Sequence, residues 1–392
     1  MKATALAFAL GAMITVEQRD RHRSLYDPPS AAISTKGRFV AFTTYSRLVS
    51  ADTNDLSDVY VLDRARLDVT LESAGGGPGA GDSSNPGISG DGRYVVFERA
   101  ALVMLRDRRE AVTTVIGRGR QPSITADGSH ILLTAATFES ASGADVNGWR
   151  DDVYSIEWPS GRARRVSIGM GGDDLMMASV RPSASRDGRY VAFTSRLQPG
   201  DERSRAARVF VSDIARGVTS VVADGWDPSI SGDGRFVAFV GISSGLPHIF
   251  LADLHAGDTR IITTSVRRGL ANGASAKPML SADGRYVVFQ SEASDLNGSE
   301  DFNLLWDVFV FDRMSNTTTR VSGDPDEVWM APSGGPAIDG NGSTVVFSSR
   351  HPTDVSDKRN DFDLYVAAIP EPLQKAKRSE ARYVLTAETL RR

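Results

Sequence analysis

One segment recurs seven times along the chain, and it limits the fold more than any other feature. It reads Ala31-Ala-Ile-Ser-Thr-Lys-Gly37, Pro86-Gly-Ile-Ser-Gly-Asp-Gly92, Pro122-Ser-Ile-Thr-Ala-Asp-Gly128 and Pro182-Ser-Ala-Ser-Arg-Asp-Gly188. It continues as Pro228-Ser-Ile-Ser-Gly-Asp-Gly234, Pro278-Met-Leu-Ser-Ala-Asp-Gly284 and Pro336-Ala-Ile-Asp-Gly-Asn-Gly342. The closing glycines are 55, 36, 60, 46, 50 and 58 residues apart. A period of about 50 residues belongs to propeller blades and related arrays.

Each segment runs into a β-branched and aromatic stretch: Phe39–Phe42, Tyr94–Phe97, His130–Leu133, Tyr190–Phe193, Phe236–Phe239, Tyr286–Phe289 and Thr344–Phe347. Such side chains suit a pleated, half-buried surface. The Asp-Gly or Asn-Gly between the two runs supplies a tight hairpin turn. The leading proline sits where no ladder donor is required. A third and a fourth strand follow in most units, for example Val308–Phe311 and then Thr319–Ser322. Four antiparallel strands per repeat make a blade. The expectation is therefore an all-β, seven-bladed propeller over residues 12–370.

Unit seven lacks a fourth strand, because Pro370 and Pro372 follow Leu364–Ala367. Met13–Val16 is expected to fill the gap. Glu17 precedes Ile33 by the same 16 residues that separate Ser322 from Ile338. Closure of this kind removes an open sheet edge. Residues 1–11 also read as a signal remnant or a disordered start, with Lys2 ahead of an apolar run. The tail 371–392 is basic, and the spacing of Leu373, Ala376, Tyr383, Val384, Ala387 and Leu390 suggests an imperfect amphipathic helix or a frayed end.

The repeated Pro-Ser-Ile-Ser-x-Asp-Gly-Arg-Tyr-Val-Ala-Phe signature, followed almost throughout by Pro228–Phe239, resembles the PD40 (WD40-like) repeat of TolB-like β-propellers. That resemblance implies a propeller, a periplasmic or extracellular setting and a protein or peptide partner. A cytoplasmic setting is the alternative. TolB-type proteins carry an additional N-terminal α/β domain, whereas about 30 residues precede the first repeat here, so direct equivalence to TolB itself is not expected.

Composition narrows the chemistry. The chain has no cysteine, which removes disulfides, a thiol nucleophile and Cys-ligated zinc. Its net charge of −4 gives no basic excess for nucleic acid. No apolar run reaches the ~18–20 residues of a membrane span. The five histidines show no metal-ligand spacing. Gly241-Ile-Ser243-Ser-Gly245 matches a nucleophile elbow in letters only, since a strand rather than a helix follows.

Four units carry long acidic loops between strands two and three: Thr43–Ser57, Thr134–Asp151, Gln290–Trp306 and Ser348–Phe362. Connectivity gathers them on one face of the disc. Three of them present oxygen ligands at alternate positions: Asp52, Asn54 and Asp58; Asp145, Asn147 and Asp151; Asp295, Asn297 and Asp301. This spacing suits Ca²⁺, and it equally suits Asx turns that keep a loop soluble. Arg38, Arg93, Arg189, Arg235 and Arg285 follow the turn glycines. With Asp63, Asp213, Asp253 and Asp312 they read either as repeated ion pairs or as an anion ring.

The expected function is a non-enzymatic scaffold that binds a protein or peptide through its long-loop face. The alternative is a hydrolase or lyase acting on a carbohydrate or lactone at the axial mouth, with candidates among Asp145, His351, Arg350 and Arg196.

Overall fold

The computed structural model describes residues 14–16, 31–74, 81–138, 141–142, 148–169, 175, 177–196, 207–297, 304–322, 331–350, 362–369 and 382–384. They form seven antiparallel sheets, one per repeat. Blade one comprises Ala31–Ile33, Phe39–Thr44, Asp58–Asp63 and Asp68–Leu71, paired in that order. Blades two, four, five and six repeat the arrangement. Blade three adds Ala141–Ser142, which pairs parallel to Ala163 and Arg164 on its outer edge. Among the described residues no helix is long and apolar enough to cross a membrane.

The repeat motif explains itself at the turn. Ser89, Ser185, Ser231 and Ser281 each donate their hydroxyl to the aspartate two residues on, at 2.5–2.8 Å. Each also accepts the N–H of the aromatic residue that opens strand two, at 2.9–3.0 Å. The aspartate accepts the arginine N–H. The turn glycine has a positive φ in all seven units, between 68° and 77°. It also packs on the neighbouring blade: a Cβ on Gly234 would lie 2.2 Å from Tyr190, and one on Gly284 2.5 Å from Phe236. Glycine is thus required for its backbone and for its lack of a side chain.

Strands two and three supply the core. Phe42 faces Tyr60, Phe193 faces Phe210, Phe239 faces Phe250, Phe289 faces Phe309 and Phe347 faces Tyr365, each pair directly opposed in register and stacked at 5.4–5.9 Å. Such pairs contribute about 0.5–1.5 kcal/mol each beyond burial of their area. The sequence-expected ion pairs are intra-blade: Arg38–Asp63, Arg189–Asp213, Arg235–Asp253 and Arg285–Asp312 lie at 2.6–2.9 Å. Arg93 pairs with Asp107 at 2.7 Å, a partner absent from the sequence reading. Each of these five guanidinium groups also lies 4.7–4.8 Å over the next aromatic ring. They serve the blade rather than forming an anion ring.

Ring closure occurs as the spacing implied, with a shift in register. Ile14–Val16 pairs antiparallel with blade seven, Thr15 opposite Asp363. Blades one, three and six show what that position does. There a serine (Ser73, Ser167, Ser322) donates to the first aspartate of strand three (Asp58, Asp152, Asp307) and accepts the next backbone N–H. Thr15 therefore occupies the register of Ser322, two residues before Glu17. Fourth strands in blades three, five and six also end earlier than expected, at Arg165, Ile261 and Arg320. The hydroxyl residue beyond each one takes up a side-chain clamp instead of a ladder bond.

The helical expectation for the tail is corrected at Arg382–Val384. These residues form a strand that pairs with Tyr365–Ala367 of blade seven. An unfilled antiparallel edge there outweighs a weak helical pattern. The remainder of the tail and residues 1–13 lie outside the described residues.

Candidate functional site at the axial mouth

Six first strands share an irregularity. The residue before the repeat proline has a positive φ: Asn85 at 51°, Gln121 at 52°, Arg181 at 57°, Asp227 at 53°, Lys277 at 52° and Gly335 at 62°. The ladder slips at each of these points. This is a β-bulge, a device that re-aims a side chain. A residue before proline ordinarily sits in the extended region, and non-glycine residues rarely take φ > 0. Five such residues at one level of the axis are strain concentrated in one place, the pattern of a functional site.

The six bulges line a mouth of about 490 Å³, together with Pro86, Pro122, Pro182, Pro228, Pro278 and Pro336. A second cavity of about 360 Å³ continues along the axis and shares Ser123, Pro182, Pro228, Pro278 and Met279 with the first. The bore therefore has a polar mouth and a proline-lined neck.

Hydrogen bonds between blades hold the mouth in shape. Glu98 accepts from the Asn85 side chain at 2.8 Å and from the Gln121 N–H at 2.5 Å. Gln121 Oε1 accepts the Arg181 N–H at 3.0 Å. The Arg181 guanidinium meets Asp227 at 2.8 Å, and Thr194 accepts the Asp227 N–H. Gln290 accepts the Gly335 N–H at 3.0 Å. Deeper in the bore, Ser183 and Ser229 accept the N–H groups of Ile230 and Leu280 from the following blade. At the short-turn end the backbones bond directly, Gly90 to Ala126, Arg186 to Gly232, Gly232 to Ala282 and Ala282 to Gly340.

Of the three loop trios read as calcium ligands, that of blade one alone is described in full. In blade one Asp52 accepts the Tyr60 hydroxyl, and burial, followed by that bond, pushes the phenol well above its ordinary range. Asn54 donates to Asp58 at 3.0 Å and accepts the Leu56 N–H at 2.6 Å. Asp58 also accepts from Ser73. Protein donors thus occupy these oxygens, and the trio does not fit a bound cation. Asp151 is ion-paired with Arg120. Asp295 accepts the Asn272 N–H at 3.0 Å. Asn297 is described and half-buried. Asp145, Asn147 and Asp301 lie outside the described residues, as does His351. Among the described residues no group of three or more His, Asp or Glu side chains gathers to hold a metal.

Of the other candidates, Arg350 lies 4.5 Å over the Phe362 ring. Ser243 sits at the end of a strand whose hairpin partner begins at Leu246, so the Gly-x-Ser-x-Gly letters form a two-residue turn. His248 takes the place of the strand-three aspartate in blade five. It is fully buried against Thr263, and burial lowers its pKa. The bulge ring was missed in sequence. Its signal is variation: Asn, Gln, Arg, Asp, Lys and Gly precede a constant proline.

No protein-family model matches the sequence, and no curated protein aligns with it. Solved structures do. An oligogalacturonate lyase from Vibrio parahaemolyticus aligns over 92% of this chain and 99% of its own, at 14% identity and a TM-score of 0.57. The β-propeller domain of the Trilobed protease from Pyrococcus furiosus, which has an open velcro topology, aligns over 87% of this chain and 93% of its own, at 11% identity and a TM-score of 0.58. TolB from Acinetobacter baumannii aligns over 73% of this chain at 16% identity with a TM-score of 0.45, and this chain spans 64% of its length. At these identities the likeness with the lyase and the protease domain is one of fold.

Proposed function

We propose that this propeller is a non-enzymatic scaffold that binds a protein or peptide partner at the axial mouth of its long-loop face, in the cell envelope or outside the cell. The observation that carries the reading is the ring of strained bulges, which presents Asn85, Gln121, Arg181, Asp227 and Lys277 around a 490 Å³ opening. The one carboxylate in that described lining, Asp227, is engaged by Arg181. Strand connectivity puts four exposed apolar residues at the same end of the blades, outside the lining of the opening. Trp149 is 91% exposed and Leu304 70%, with Ile242 and Val266 also exposed. Exposed aromatic and aliphatic residues on a rigid face are the anchors from which interfaces are built.

The test is direct titration of a partner purified from envelope extract, with and without chelator. Lys277→Ala and Gln121→Ala should each weaken binding about tenfold or more, and Trp149→Ala should weaken it as well. Affinity unchanged by both mouth variants would overturn the assignment. The chelator arm separates a calcium-ordered face from a calcium-independent one.

A second reading has Arg181 and Lys277 in its favour. Two cations at the mouth would face the carboxylates of an acidic carbohydrate, the substrate class named for the lyase of similar fold. Cleavage of oligogalacturonate by the purified chain, lost in Lys277→Ala, would establish it.

A further inference from the structure

The outer edge of blade seven is built from both ends of the chain. Ile14–Val16 covers Phe362–Leu364, and Arg382–Val384 covers the adjoining Tyr365–Ala367. Together they rebuild one fourth strand from two three-residue pieces. The halves differ in three respects. The N-terminal piece also lies against the second strand of blade one, whereas the C-terminal piece has its repeated contacts with blade seven alone. The N-terminal piece places Thr15 in the register of the hydroxyl clamp, opposite Asp363. Fourteen residues, 17–30, join it to blade one, close to the 11–13 that follow the fourth strands of blades one, three, five and six, whereas blades two and four use one. The C-terminal piece is reached through 13 residues, 369–381, where blades one, two, four, five and six use four. A 13-residue connection costs more entropy to close than a four-residue turn. The 14-residue link of the N-terminal piece costs as much, and what retains that piece is its packing on two blades.

We propose that blade seven closes with a divided latch, in which Arg382–Val384 is the releasable half and Ile14–Val16 the retained half. Opening of the C-terminal half bares the edge of Tyr365–Ala367, residues that are otherwise buried, without unsealing the ring. Release would be a local event with its own low free energy, as for other terminal elements.

Hydrogen–deuterium exchange on the full chain tests this. Residues 382–384 should exchange at least tenfold faster than 14–16. Tyr383→Pro, which deletes a ladder donor, should deprotect Tyr365–Ala367 while Phe362–Leu364 stays protected. Equal exchange of the two terminal strands, or loss of protection over 362–367 as one unit, would overturn the divided latch. Because the chain has no cysteine, Val366→Cys with Tyr383→Cys gives a clean crosslink at a directly opposed pair. The oxidised form should slow exchange at 365–367 at least tenfold, and failure of the pair to oxidise would overturn the pairing itself.

Discussion

Gly92 of blade two rests on the ring of Phe39 in blade one so closely that a Cβ would fall 2.1 Å from it. Phe39 is held from elsewhere as well, with Arg38 at 4.7 Å and Arg108 at 4.9 Å from its centre. Turn, aromatic ring and guanidinium form the unit that joins one blade to the next, and the first prediction follows from it.

Gly92→Ala should destabilise the chain by about 2–4 kcal/mol, combining a disfavoured positive φ with overpacking against a fixed ring. Gly257 has φ of 71° but nothing within 4 Å of its would-be Cβ. Gly257→Ala should cost only about 1 kcal/mol. Denaturant midpoints for the two variants measure the difference, and equal losses would show that the contact with Phe39 contributes nothing.

The repeated ion pairs set the response to acid. Asp63, Asp107, Asp213 and Asp253 are held below the ordinary carboxylate range, chiefly by the hydrogen bond from their arginine. A folded-state pKa below the unfolded value near ~3.9 gives stability that is present above that pH and lost as pH falls through the lowered value. Arg235→Gln removes this linkage for Asp253. Its urea midpoint should be lower than wild type at pH 7 and should fall less steeply from about pH 4 downward.

Ser322 closes a buried clamp, donating to Asp307 at 2.6 Å and accepting the Val308 N–H at 2.8 Å. Ser322→Ala removes a donor from a carboxylate that is 1% exposed and an acceptor from a backbone N–H. The expected loss is about 2–4 kcal/mol, read by thermal or chemical unfolding. A loss below about 1 kcal/mol would mean that other groups satisfy both partners.

At the mouth, strain and recognition should trade against each other. Lys277→Gly relieves a positive φ of 52° in the ring where Gly335 already occupies the equivalent place. Stability should rise by about 0.5–1 kcal/mol while partner binding weakens. A variant that is both more stable and fully competent in binding would show that the Lys277 side chain has no part in recognition.

The blade count, the turn chemistry and closure by the N-terminal strand could be read in the sequence because one motif encodes each turn seven times. Ser231, Asp233, Gly234 and Arg235 announce a turn whatever surrounds them. The position of Thr15 was less legible. A hydroxyl clamp ends the fourth strand two residues early, and spacing alone pointed to Glu17. Asp107 escaped notice because the apolar run of blade two's third strand ends at Leu105, with Arg106 between it and the aspartate. The bulge ring was hidden by the rule that favours extended backbone before proline, which tertiary packing overrides at Asn85, Gln121, Arg181, Asp227 and Lys277. The calcium expectation at Asp52, Asn54 and Asp58 met Tyr60, Leu56 and Ser73, donors that are distant or silent in a linear pattern.

The innermost strands expose few rungs to the bore. Proline removes one donor, Ser183 and Ser229 engage others, and the carbonyls of Ala126, Gly232, Ala282 and Gly340 take the turn N–H groups. A guest on the axis would find few backbone donors with which to zip up an extra strand. It would have to be read through side chains, and it could enter and leave without any ladder having to tear.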